Sequence, residues 1–157
     1  MISINLMNAI NLINLSQSLY TSPMILLLSG STDIARKVLI ERLLKEKPSW
    51  RHIAMEELQE LPFFKQAAPD EDGKLSASLA MTCAQEMQDE GFHILLTHAN
   101  AKPFLESLHE EAEDQPFVSV YLGSEEGGEG YNHFIDTLNK SASDMYVAMK
   151  KIIHSLA

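Results

Sequence analysis

Short apolar runs, each ended by a polar or glycine residue and each followed by a segment of helix length, constrain this chain more than any other feature. The run from Met24 to Leu28 is wholly apolar and closes on Ser29 and Gly30. A strand with no polar alternation is buried on both faces, which is the habit of parallel sheets. Phe92 to Thr97 and Phe117 to Leu122 read as further strands, and shorter ones are expected within Trp50 to Met55 and His133 to Asp136.

The segments between the strands carry a helical period. From Asp33 to Lys47 the apolar positions are Ile34, Val38, Leu39, Leu43 and Leu44, and Pro48 stops the pattern. A second helix is expected after Ser76, burying Leu79, Ala80, Cys83, Ala84 and Met87 and ending at Gly91. A third begins at Pro103, and the last is capped by Ser141 with Asp144 three residues on. Its stripe is Met145, Ala148, Met149, Ile152, Ile153 and Leu156. Alternating strands and helices predict a single α/β domain, a three-layer parallel sheet wrapped on both faces. Two stretches read as loops: Pro69 to Gly73, and the acidic, glycine-rich Gly123 to Gly130, expected to be a mobile surface loop.

Charge narrows the partners. The chain of 157 residues has a formal net charge of −10 and only three arginines, so it offers no basic stripe for nucleic acid or an anionic membrane. Cys83 is the single cysteine, which excludes an intrachain disulfide and fits a reducing, cytoplasmic setting. The first 32 residues contain no Asp, Glu, Lys, Arg or His, yet Asn5, Asn8, Asn11 and Asn14 interrupt the apolar positions. No membrane span is read there. Residues 1–23 are expected to form an uncharged arm or helix ahead of a domain over 24–157, with its apolar residues covering this domain or a second copy in a homodimer.

The order of elements and several phrases resemble the P-loop small-molecule kinases, in particular the adenylylsulfate kinase and zeta-toxin-like branch. Leu26 to Gly30 followed by a helix is similar to that family's first strand and phosphate loop, and Gln88 to Leu96 to its helix end, glycine and third strand. Pro116 to Leu122 is similar to the fourth strand, and Phe134 to Thr137 leading into a capped helix to the close. The resemblance covers residues 24–157. It implies a five-stranded sheet in the order 2-3-1-4-5, with any ligand at the carboxyl edge of the first strand.

A phosphate loop of this family reads G-x-x-x-x-G-K-[ST]: glycines let backbone N–H groups wrap phosphate, the lysine reaches the outer oxygens and the hydroxyl holds magnesium. The matching residues here are Gly30, Ser31, Thr32, Asp33, Ile34, Ala35, Arg36 and Lys37. Ala35 stands for the second glycine, Arg36 for the lysine and Lys37 for the hydroxyl residue, while Asp33 adds a negative charge. Moving the frame by one residue puts Lys37 at the lysine position but leaves Val38 at the hydroxyl. Two readings follow: a catalytically impaired kinase-like protein that binds a small molecule or a protein partner, or an active kinase using ATP with Mg²⁺ through an atypical loop. Thr32 or Asp33 also suits a plain helix cap.

Further candidates are sparse. Glu56 and Glu57 follow the second strand, where the resemblance implies a carboxylate that activates an acceptor hydroxyl; acidic residues also suit a helix start. His98 ends the third strand, facing the cleft such a fold would have. Between Leu75 and Asn139 the only Lys or Arg is Lys102, and Glu125, Glu126 and Glu129 occupy the lid region where kinases place arginines. The six histidines form no HxH or HxxxH pair, so no metal site is read. No G-x-S-x-G turn is present for a hydrolase. The stretch Ser29 to Arg36 is also similar to the nucleotide loop of short-chain dehydrogenases, but it has one glycine, and the only Tyr-x-x-x-Lys pair, Tyr146 and Lys150, lies on the last helix.

Overall fold

The computed structural model describes residues 22–30, 32–62 and 73–156. Residues 1–21 of the expected arm and most of the first expected loop therefore lie outside the described residues. Five strands form one parallel sheet in the order β2-β3-β1-β4-β5. They are β1 (Ile25–Gly30), β2 (Trp50–Ala54), β3 (His93–His98), β4 (Phe117–Leu122) and β5 (His133–Ile135). The connecting helices are α1 (Asp33–Glu46), α2 (Met55–Gln59), α3 (Lys74–Asp89), α4 (Leu105–Ala112) and α5 (Ala142–Ser155). This is the doubly wound P-loop NTPase-like α/β fold expected from the sequence, with β1 at the centre.

The apolar run of β1 is buried along its whole length. Its side chains alternate between two cores. Leu26 and Leu28 join Leu39, Leu43, Met145, Tyr146 and Met149 beneath α1 and α5. Ile25 and Leu27 join Ala77, Ala80, Met81, Ala84, Phe104 and Leu108 beneath α3 and α4. The Tyr146 hydroxyl donates to Glu46 at 2.6 Å and ties the two helices of the first layer together. Two of the expected caps form: the Thr32 side chain accepts from the Ala35 N–H, and Ser141 with Asp144 makes a reciprocal capping box.

Helix α3 differs from expectation. It begins at Lys74 after Gly73, and Ser76 is buried inside the first turn, donating to the Gly73 carbonyl at 3.1 Å instead of capping. Its inward face is Ser76, Ala77, Ala80, Met81, Ala84 and Gln88, which leaves Leu79 40% exposed and Cys83 half-buried. Alanines let the helix lie close to the sheet, so the larger Leu79 is turned out. Gln88 is retained inside because its amide donates to the carbonyls of Pro23 and Pro116, holding the starts of β1 and β4.

Candidate functional site

The carboxyl ends of β1, β3 and β4 meet where the chain turns into α1. Gly30 closes β1 with a φ of +89°, a left-handed conformation that glycine tolerates without a side-chain penalty. Its N–H donates to the Ala99 carbonyl just beyond β3. The ring of Tyr121 lies where a Cβ on Gly30 would be, and also where one on Gly127 would be. The glycine-rich segment expected to be mobile is thus packed on a tyrosine, and it includes a short 3-10 turn over Glu126–Gly128. Glycine there serves contact with an aromatic face, a use that composition alone does not reveal.

Arg36 dominates the turn. It is 5% exposed, and its Nη1 donates to the Gly30 carbonyl at 2.6 Å while Nη2 pairs with the exposed Asp33 carboxylate. The guanidinium therefore lies inside the loop, bridging its first residue to the start of α1. Ile34 and Lys37 are exposed, Ala35 is half-buried, Thr32 caps the helix, and Ser31 lies outside the described residues.

Two of the three expected catalytic residues come together with Arg36. Glu56, in the first turn of α2, accepts from the Ala99 N–H at 3.0 Å. His98 ends β3, and its Nδ1 accepts from the Asn100 N–H at 2.9 Å while its ring meets Phe104 edge-on. Burial lowers its proton affinity, Glu56 partly offsets this and Arg36 adds to it. The neutral imidazole consequently carries its proton on Nε2, since Nδ1 is an acceptor. That Nε2 is buried and has no hydrogen-bond partner among the described residues. Glu57 does not join them: it is exposed, and its charge acts on His52, whose ring contacts Thr97 at 2.7 Å.

Sequence reasoning missed the serine and tyrosines that fix this edge. Ser29, fully buried, accepts from the Ala101 N–H at 2.9 Å and from the Tyr131 hydroxyl at 3.0 Å. Tyr131 in turn packs against Tyr121. The available signal was a polar residue at the end of an apolar run, which must find partners when buried. Among the described residues no group of three or more His, Cys, Asp or Glu is placed to hold a metal, and no helix is long and apolar enough to cross a membrane.

The sheet order 2-3-1-4-5 with helices on both faces is a P-loop NTPase-like α/β fold, and solved structures share it. The chain is similar to an APS kinase of Mycobacterium tuberculosis, at 14% identity and a TM-score of 0.60 over 84% of this chain and 98% of that one. It is also similar to a gluconokinase of Sinorhizobium meliloti, at 11% identity and a TM-score of 0.60 over 87% and 94%. No protein-family model matches the chain, and no curated protein does.

Proposed function

We propose that this chain is a kinase-like protein in which the phosphate loop is latched by its own side chains, and that it acts as a ligand-binding or regulatory module instead of transferring phosphate. The observation that carries this reading is the buried Arg36 donating to the Gly30 carbonyl. At the lysine position of a working loop the cation must be free to meet phosphate oxygens. Here it is spent on the protein, with Asp33 supplying the negative charge a phosphate would bring. Lys37 at the hydroxyl position offers no magnesium ligand. The residues present do not fit a magnesium nucleotide. The recognition surface is the carboxyl edge, where Glu56 and His98 lie beside the Arg36 turn and a small molecule or a protein partner would dock.

A second reading, an active kinase that accepts ATP with Mg²⁺ through Arg36, draws on the meeting of Glu56 and His98 at that same edge. Arg36→Ala separates the two. As a brace, Arg36 makes a charged hydrogen bond to a buried carbonyl, so its loss is expected to cost about 1.5–3 kcal/mol. The Asp33 pair adds little, because that carboxylate is 91% exposed. The expected result is a lower urea midpoint for the variant and no ADP formed by either protein from ATP, magnesium and a panel of hydroxylated acceptors. A variant as stable as the parent, together with turnover that only the parent sustains, supports the kinase instead.

A further inference from the structure

The amino edge of the sheet, at the other end of β1 from the phosphate loop, holds a cavity of about 210 Å³. Strands of six residues put the two edges about 20 Å apart. The cavity is lined by Ser22, Met24, Lys47, Ser49, Trp50, His93, Ile153 and His154, and among these are three nitrogen bases and no carboxylate. In a chain with a net charge of −10 that selection is a local reversal.

The lining divides into two parts. Met24 and Trp50 are each 4% exposed and, with Ile153, give an apolar floor against the core. His93 stacks on Trp50 with ring centroids 5.0 Å apart, and its Nδ1 accepts from the Met24 N–H at 3.1 Å. Burial, then Lys47, lowers the proton affinity of His93, so its ring is neutral and the proton sits on Nε2 as a donor. Lys47 and His154 make no ion pair among the described residues. Both stand at the carboxyl ends of helices, where the helix dipole favours positive charge. That preference accounts for basic residues at those two places. It accounts neither for the cavity between them nor for the imidazole donor of β3.

We propose that this cavity binds a small organic carboxylate with a flat apolar body. The carboxylate is received by Lys47, the His93 Nε2–H and His154, and the body lies against Trp50 and Ile153. The volume is below the roughly 300–1,000 Å³ of pockets for drug-sized ligands, which limits the ligand to a single ring or a short branched chain. The residues before Ser22 carry no charge, so they do not supply the anion. The site is independent of the phosphate loop and stands whether or not the latched-loop reading does.

Trp50 is the only tryptophan in the chain and reports on the cavity directly. Titrating the full chain with benzoate is expected to give a saturable change in its emission. Benzamide, with the same body and no charge, and inorganic phosphate, with charge and no body, should bind at least about tenfold more weakly. Lys47→Met should weaken benzoate binding about tenfold, and His154→Gln, at an exposed position, should weaken it with the fold intact by circular dichroism. No saturable response up to about 10 mM, as when the chain fills its own cavity, overturns the proposal. So does binding of benzamide or phosphate equal to that of benzoate, or benzoate binding that neither substitution alters.

Discussion

Gly30→Ala is expected to lower the stability of the folded chain by about 3–5 kcal/mol, among the largest effects of any single methyl group added to it. Two costs combine. The φ of +89° is one that residues with a side chain adopt at a penalty of about 1–3 kcal/mol. The new Cβ would also lie 2.4 Å from Cε2 of Tyr121 and 2.7 Å from the Leu122 carbonyl, and the second contact is backbone at the end of β4, paired with β1 and β5. Tyr121 cannot simply swing away, because its ring is held between Gly30, Gly127 and Tyr131. Gly91→Ala supplies the comparison: φ is +99° but no atom lies within 4 Å of the added carbon, so only the backbone penalty of about 1 kcal/mol applies. Urea unfolding of the two variants checks this. Equal losses in both would mean that the packing of Tyr121 on the turn is not as described.

The second large effect belongs to the strand that carries that turn. Leu28→Ala is expected to cost about 3 kcal/mol, within the range of about 2–5 kcal/mol for a leucine removed from a well-packed core. Leu28 is fully buried, flanked in register by Thr97 on β3 and Val120 on β4, and packed within the core beneath α1 and α5. Neighbours on both sides in a central strand cannot move in to close the space without breaking the ladder. Ile34→Ala, on the first turn of α1 and 77% exposed, should change stability by less than about 0.5 kcal/mol. A similar loss at both positions would contradict the division of this region into a buried strand and an exposed helix start.

The contrast between Leu28 and Ile34 also marks what the sequence could convey. Strands were legible because parallel sheets bury both faces, so β1, β3 and β4 stand out as mainly apolar runs, broken in β4 only by Ser119, and β4 begins and ends where the run does. The strand order came from resemblance to a family, since pattern alone does not say which run pairs with which. Periodicity erred where helix faces are small or mixed. Ile34 and Leu79 fit an apolar stripe yet face solvent, while Arg36, Gln88 and Ser76 lie inside because each finds a backbone carbonyl.

The candidate site was legible in position and not in function. Gly30, Glu56 and His98 were placed near the carboxyl edge by their location at strand ends, and they converge there. Whether Arg36 reaches outward or folds back depends on a 2.6 Å contact to a carbonyl six residues earlier, which no spacing rule encodes. Tyr121 and Tyr131 escaped notice because a tyrosine near a strand end and one in a polar loop look ordinary until Gly30 and Ser29 are seen against them.

The most direct test of the latched loop is thermal unfolding of the full chain with ATP, ADP or GTP in excess, each with and without magnesium. A ligand at a hundred times its dissociation constant stabilises a protein by about 2.7 kcal/mol, which for a chain of this size is a rise of roughly 5–10 °C. No rise is expected with any nucleotide in either condition; a magnesium-dependent rise with ATP would contradict the latched loop and make it a working phosphate loop.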